Sequence, residues 1–176
     1  MAFAHDTTAA LQSAVALVNS AEPPDTMTSQ HELDAFFAAH DYTGARTHDA
    51  AELEAVRALR APLRRLLTSD RDEAAGIVNR ILAERRAVPA LVRHDGWDYH
   101  LHATASDAPL ADRIAVETAM AMIDLIRADE LSRLSVCAEH SCDGLVLDLS
   151  RNRSRRFCST ACGNRLAVAA YRARKR

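Results

Sequence analysis

Four cysteines near the end of the chain constrain its fold more than any other feature. Cys137 and Cys142 enclose four residues, Cys158 and Cys162 enclose three, and fifteen residues separate the two pairs. Two close thiol pairs joined by a short ribbon are typical of a tetrahedral zinc site, which needs four soft ligands brought together by two tight turns. Four buried or redox-active thiols are the alternative. The spacing therefore predicts a zinc-stabilised module over residues 135–176.

The predicted zinc site is structural rather than catalytic. Four thiolates fill the coordination shell of zinc and leave no open position for a substrate. A module of this length buries too little apolar surface to fold alone, and metal binding would supply the missing free energy. His140 lies inside the first thiol pair and is a competing candidate ligand. We therefore expect one structural zinc ion held by the four cysteines.

Basic residues are concentrated at the same end of the chain. The whole chain contains 22 Arg or Lys and 24 Asp or Glu, and nine of the basic residues but none of the acidic ones lie within residues 151–176. An acidic body with a basic end indicates a polyanionic partner. Arginine suits phosphate because its planar guanidinium donates two hydrogen bonds. The candidate nucleic-acid contacts are Arg151, Arg153, Arg155, Arg156, Asn164, Arg165, Arg172, Arg174, Lys175 and Arg176.

Several of these residues also have structural interpretations. Arg165 is placed to read guanine in the major groove, or it stacks on Phe157 or pairs with Asp148. Asn164 is either a base contact or the cap of a terminal helix, after a positive φ angle at Gly163. The whole basic segment is a DNA-binding surface, an RNA-binding surface, a solvated surface or a docking segment for the acidic body.

Residues 1–134 show the apolar periodicity of helices. The spacing predicts helices over 7–19, 49–68, 71–87 and 109–130, and the capping-box pattern of Ser29 and Glu32 begins another. Pro62 should kink or divide the helix over 49–68, because proline lacks a backbone donor. Asp70 is the expected cap of the helix over 71–87.

One small hairpin is predicted in this part of the chain. Residues 90–93 and 97–103 flank the turn signal His94-Asp95-Gly96. Trp97, Tyr99 and Leu101 alternate with Asp98, His100 and His102, and we expect the face of the first three to be buried. His100 and His102 share the other face, as exposed polar residues or as a metal-binding pair. The predicted fold class is mainly α, a helical array with one small β-hairpin over residues 1–134, followed by short strands and a helix.

Three short motifs surround the second cysteine pair. They are Asp148-Leu149-Ser150-Arg151, Arg155-Arg156-Phe157-Cys158 and Cys162-Gly163-Asn164-Arg165. Together they resemble the CGNR zinc finger, which typically ends bacterial proteins whose N-terminal part is the ABATE domain, a family proposed to contain stress-induced transcription regulators. Leu17-Val18-Asn19-Ser20 is similar to a motif near the start of that domain. The resemblance covers the whole chain and implies that the four cysteines bind zinc and that the finger contacts DNA.

The chain departs from the family pattern at three places. Phe157 stands where members often have Trp, and Val146 stands where many have an aromatic residue. Leu166 and Ala167 follow the motif arginine where many members have a lysine, so one candidate phosphate contact is missing.

These observations favour a cytoplasmic bacterial transcription regulator whose N-terminal domain is a scaffold or a sensor of a small-molecule effector. No apolar run reaches the roughly 18 residues of a membrane span, and no secretory signal is present. We do not expect an enzyme, since residues 1–134 contain no Gly-rich phosphate loop and no spaced nucleophile–base motif. One finger covers a small footprint, so specific binding would need a homodimer.

Two other functional hypotheses stay open. In the first, the zinc module binds RNA or a protein and recognises no DNA sequence. In the second, the body is an enzyme, which a deep pocket lined by two or more titratable groups would support.

Overall fold

The computed structural model describes residues 3–93 and 98–175, except for three alanine side chains, at 169, 170 and 173. The described residues form a mainly helical protein with two small antiparallel hairpins, which confirms the predicted fold class. No helix among them is long and apolar enough to cross a membrane. The helices are α1 (His5–Asn19), α2 (Gln30–Ala39), α3 (Ala50–Ala58), α4 (Arg60–Thr68), α5 (Arg71–Glu84), α6 (Leu110–Arg127) and α7 (Thr160–Arg174). The strands are β1 (Ala90–Val92), β2 (His100–His102), β3 (Leu134–Val136) and β4 (Leu145–Leu147).

Local signals set most of the helix boundaries. The Ser29 hydroxyl accepts a hydrogen bond from the Glu32 amide while the Glu32 carboxylate accepts one from the Ser29 amide, which is the predicted capping box. Asp70 caps α5 through the amide of Glu73, also as predicted. The helix expected over 49–68 is divided at Leu59 into α3 and α4. Pro62 lies in the first turn of α4, where its missing N–H breaks no intrahelical bond.

The apolar core lies around α1 and α6, which pack against each other and are flanked by α4 and α5. Its fully buried side chains include Leu11, Leu66, Ile114 and Met122. Strand β4 of the cysteine-rich segment adds Leu145 and Leu147 to the same core. The cysteine-rich segment is therefore seated on the helices, and the predicted domain boundary at residues 134 and 135 stays a prediction.

The first hairpin presents the opposite face from the one expected. Its register pairs Ala90 with His102 and Val92 with His100, so the two strands are those predicted. The predicted turn at 94–96 and Trp97 lie outside the described residues. Tyr99 and Leu101 are 64% and 45% exposed, so the prediction that they are buried is wrong. The reason is tertiary: His102 packs toward α6, with its Nδ1 atom 3.8 Å from Glu117 Oε1, which turns the alternate side chains outward.

The terminal helix begins earlier than expected. Ser159, in an extended conformation, accepts a hydrogen bond from the Cys162 amide and is the N-cap of α7. Gly163 and Asn164 therefore lie inside the helix, and the predictions of a positive φ angle at Gly163 and a cap at Asn164 are wrong. A serine three residues before Cys162 satisfies one orphan amide of the first turn, so the helix needs no later start.

Candidate zinc centre and nucleic-acid interface

The four cysteine sulfurs converge on one point. All four Sγ atoms lie within 4.8 Å of one another. The Sγ atoms of Cys142 and Cys158 are 3.5 Å apart, and those of Cys158 and Cys162 are 3.6 Å apart. Ligands bound to tetrahedral zinc at its usual Zn–S distance are about 3.8 Å from each other. The donor set and its spacing therefore fit one structural zinc ion, while the competing candidate His140 is exposed.

The β3–β4 hairpin positions the first thiol pair. Cys137 follows β3 directly, and its amide donates to the Gly144 carbonyl at 2.8 Å. The Gly144 amide approaches Cys142 Sγ at 3.4 Å. A Cβ atom at Gly144 would lie 2.9 Å from Cys158 Sγ, closer than any side chain tolerates. Gly144 is thus part of the zinc site, and its place two residues after Cys142 was the sequence signal for it.

The start of α7 positions the second pair. The Ser159 hydroxyl donates to Cys162 Sγ at 3.4 Å, and this hydrogen bond lowers the pKa of Cys162 to about 7. Burial, by contrast, raises the pKa of Cys158. Zinc binds thiolates, and the amides of the first helical turn favour that charge. The local fold therefore favours the thiolate form of Cys162, which binds zinc. At Cys158, the positive charge of a bound zinc ion would stabilise the thiolate against the cost of burial.

Strand β4 lies between the metal cluster and the helical core. Val146 is 1% exposed and packs with Cys137, Cys162 and Phe157. On the α1 side, the amide group of Asn19 binds the backbone of Leu145 twice, donating to its carbonyl at 2.9 Å and accepting from its N–H at 2.6 Å. Asn19 acts as a surrogate strand partner, a role that the Leu17–Ser20 motif did not reveal in the sequence.

A buried carboxylate shapes the loop between β4 and the second thiol pair. Asp148 accepts hydrogen bonds from the amides of Ser150 and Arg155, at 2.8 and 2.7 Å. Hydrogen bonding from Ser150 is the main reason that the pKa of Asp148 lies below its usual value. Arg133 holds the same loop by donating to the carbonyls of Asp148 and Ser150. The loop is thus held in one shape on the side facing the helices.

The candidate nucleic-acid contacts form two exposed segments, the loop over 151–156 and positions along α7 from residue 164 onward. Three of them are paired within the protein: Arg153 binds the Glu130 carboxylate at 2.7 and 2.8 Å, Lys175 lies over the Tyr171 ring, and Arg165 contacts Glu139. Arg176 lies outside the described residues. In the described part of the chain, five of the exposed candidate arginines have no carboxylate partner. These are Arg151, Arg155, Arg156, Arg172 and Arg174.

Arg165 has a partner that the sequence did not indicate. Its Nη2 atom lies 3.0 Å from Cys162 Sγ and 3.4 Å from a Glu139 oxygen. The two predicted structural partners, Phe157 and Asp148, are therefore replaced by a zinc ligand and a carboxylate. A hydrogen bond to a ligating sulfur orients it and tunes the metal site. Asn164, its neighbour, is exposed on the first turns of α7.

Comparison with known families agrees with this geometry. Residues 133–175 match the CGNR zinc finger. Residues 11–129 match ABATE, whose description is "Putative stress-induced transcription regulator". The chain belongs to the ABATE family and ends in a CGNR zinc finger. A comparison with curated proteins found no match.

The helical part of the chain also lines a cavity of about 900 Å³ that is open to solvent, between α1, the end of α2, β2 and α6. Burial raises the pKa of Glu117 to about 7, and it also raises the pKa of Tyr42, whose hydroxyl is 2.8 Å from that of Ser13. The predictions included none of these three residues, although Arg113 and Glu117 are polar residues one turn apart on the apolar helix α6. The titratable lining residues are Asp6, His40, Asp41, Tyr42, His100, His102, Arg113, Glu117, Asp124 and Arg127.

Proposed function

We propose that this ABATE-family protein is a bacterial transcription regulator that binds duplex DNA through its CGNR finger. The observation that carries the proposal is the set of exposed arginines without carboxylate partners, on two segments fixed around one zinc site. The description of the ABATE family supports the regulatory part of the proposal. Arginines on two such segments could contact phosphates on both sides of the zinc site, and phosphate contacts of this kind fix the register of a protein on a duplex.

Zinc would act as the clamp between the two segments. Cys158 and Cys162 fix the start of α7, while Cys137 and Cys142 fix the β3–β4 hairpin. The Ala138 amide donates to the Arg156 carbonyl at 2.9 Å, which joins the arginine loop to the first thiol pair. Because the apolar cluster around the metal site contains only the cysteines, Val146 and Phe157, loss of zinc should let both segments separate.

Base recognition is assigned to the exposed start of α7. Asn164 and Arg165 are the candidates, since amide and guanidinium groups read adenine and guanine edges. Arg165 would exchange its contact with Glu139 for a guanine. One finger covers a short site, so we propose that a homodimer binds DNA and that the protein acts in the cytoplasm. Light scattering with and without duplex DNA tests the dimer.

Selection from a random pool of duplex DNA, followed by a salt titration, tests the proposal. With about five arginines on phosphates, we expect an enriched sequence and a slope of log affinity against log salt of roughly −4 to −5. A parallel pool of RNA is the control. No enrichment of duplex DNA, or tighter binding of the RNA pool, would favour the RNA- or protein-binding alternative.

Catalysis in the cavity is a second candidate function, because many residues that line the cavity are titratable. We propose instead that it binds an effector without converting it. Among the described lining residues, the Thr7 and Ser13 hydroxyls bond to Asp124 and Tyr42, and neither bonds to a histidine base. Mass spectrometry of a bound compound tests this: recovery of the unchanged compound supports an effector, and a converted product supports the enzyme.

A further inference from the structure

We propose that the cavity of the ABATE domain binds a small organic cation that has an apolar body. The volume of about 900 Å³ is at the upper end of the range for sites that enclose drug-sized ligands. Large apolar side chains form part of its wall, among them Phe37, Met120 and Ile123. These surfaces suit the apolar body of a ligand, and the polar groups decide its charge.

Carboxylates outnumber available cations around the cavity. Asp6, Asp41, Glu117 and Asp124 face only two guanidinium groups. Arg113, which is buried, uses its Nε, Nη1 and Nη2 atoms to donate to the backbone carbonyls of residues 108, 43 and 45. The other guanidinium belongs to Arg127, on the last turn of α6, and this residue is exposed. The cavity therefore offers little free positive charge to an anionic ligand.

The histidines of the lining do not reverse this balance. Burial lowers the pKa of His40, so its ring is neutral near pH 7. The His100 and His102 rings bond to each other, with their Nε2 atoms 3.0 Å apart. One of the two Nε2 atoms must therefore accept the hydrogen bond, and a ring nitrogen accepts only when it carries no proton.

Two polar groups at the cavity lack the partners that a ligand could supply. Within the described residues, no hydrogen bond reaches the Glu117 carboxylate, whose nearest ion-pair partner, His102, is 3.8 Å away. The Glu117 side chain is only 24% exposed. The buried Thr104 hydroxyl oxygen also has no hydrogen-bond partner. An unpaired buried acceptor is costly, so a ligand that brings N–H donors and positive charge would satisfy both groups.

The charge state of Glu117 would respond to the charge of a bound ligand. Burial favours its neutral form and is the main reason for its raised pKa. A bound cation favours the ionised carboxylate, whereas a bound anion would oppose it. The facing groups, His102 on β2 and Arg113 one turn earlier on α6, are already engaged as described above.

Helix α1 would connect this ligand to the finger. Asp6, Thr7 and Ser13 on α1 line the cavity, and Asn19 at the end of the same helix holds Leu145 of β4. An effector role for the ligand rests on the proposed regulatory function, but binding of the ligand does not.

The test compares three probes that differ in charge and share one apolar body: 4-phenylbutylamine, 4-phenylbutanol and 4-phenylbutanoate. Each is titrated into the zinc-loaded full chain without DNA, by calorimetry and by NMR shifts of the lining residues. We expect the amine to bind tightest, about tenfold or more above the carboxylate. Glu117→Gln should weaken the amine about tenfold and leave the alcohol unchanged.

Matched variants keep this test decisive. Glu54→Gln changes the same side-chain type on α3, where it is 66% exposed and outside the cavity, and should leave all three affinities unchanged. Thr104→Val removes the unpaired hydroxyl with little change in shape and should weaken the amine several-fold, which tests the ligand contact at a second position. The proposal is overturned if the carboxylate binds as tightly as the amine, if neither variant changes amine affinity, or if no probe binds. Because no DNA is present, these outcomes do not depend on the proposed DNA binding.

Discussion

At the scale of single residues, the zinc site requires a residue without a Cβ atom at position 144. Gly144 lies where a Cβ atom would be 2.9 Å from Cys158 Sγ and 3.3 Å from Cys142 Sγ. Both sulfurs are ligands fixed by their backbones, so neither can move away without distorting the tetrahedron. The glycine is required by close approach to the metal site.

Gly144→Ala should therefore lower zinc affinity by about tenfold to a hundredfold, as measured by competition with a chromogenic chelator. Gly76→Ala is the matched control, because a Cβ atom at this position of α5 meets nothing within 4 Å. The control should leave zinc affinity unchanged and raise stability by about 0.5–1 kcal/mol, since alanine favours helices. Equal zinc affinities in the two variants would contradict the steric account.

Glu117 gives a second prediction at this scale, on the pH dependence of stability. Its pKa rises from 4.5 in the unfolded chain to about 7 in the folded protein, so the folded state binds the proton more tightly. The stability that this proton contributes is complete below pH 4.5 and is lost as the pH rises through 7. Glu117→Gln should thus be more stable than the wild type at pH 8 by about 2–3 kcal/mol.

Urea unfolding of both proteins at pH 5 and pH 8 measures this effect. The gain in the free energy of unfolding should be clearly smaller at pH 5, where the wild-type carboxyl keeps its proton when folded. A gain of the same size at both pH values would show that Glu117 titrates normally.

At the scale of elements, strand β4 joins the two halves of the molecule. Leu145 and Leu147 belong to the helical core, whereas Val146 packs on the cysteine cluster. Asn19 fixes the strand to α1 through both backbone groups of Leu145. The finger is thus anchored by apolar packing and by one side-chain amide.

Asn19→Ala should leave both backbone groups of Leu145 unpaired and lower the free energy of unfolding by about 1–3 kcal/mol. Hydrogen exchange at the Leu145 amide should become faster, while one zinc ion stays bound. The exposed Asn152→Ala is the control and should change neither quantity. Unchanged exchange at Leu145 in Asn19→Ala would show that packing alone holds the strand.

The arginine loop gives a prediction about salt dependence. Arg151 and Arg156 have no side-chain partner in the described residues, whereas Arg153 is bound to Glu130. The double variant Arg151→Gln with Arg156→Gln should reduce the slope of log affinity against log salt by roughly 2, since each phosphate contact contributes about 0.9. Arg153→Gln should reduce the slope much less. An equal reduction in both variants would contradict the division between paired and available arginines.

At the scale of the whole molecule, some features follow from short sequence signals, and others are set by contacts between elements that are far apart in the sequence. The caps at Ser29 and Asp70, the division near Pro62 and the convergence of four cysteines follow from short sequence signals, and the sequence predicted them. The buried face of the first hairpin did not follow, because both faces alternate and contact with α6 decides between them. The cavity was missed for the same reason: its walls come from α1, β2 and α6, which are far apart in the sequence.

The arrangement of the whole molecule explains why DNA binding by arginines would depend on one zinc ion. The basic segments follow β4 and flank the second thiol pair, and the acidic helices hold the finger from the other side. Metal binding, loop shape and helix start are therefore one unit, which zinc completes.

DNA affinity measured with and without zinc tests whether the metal holds the arginine segments in place for binding. The zinc-loaded chain, the same chain after chelation and the Cys158→Ser variant are titrated with one selected duplex, and metal content is measured in each sample. The zinc-clamp mechanism predicts one zinc ion per wild-type chain and a fall in DNA affinity of about a hundredfold or more in the two zinc-free samples. DNA affinity that survives the verified loss of zinc would contradict it.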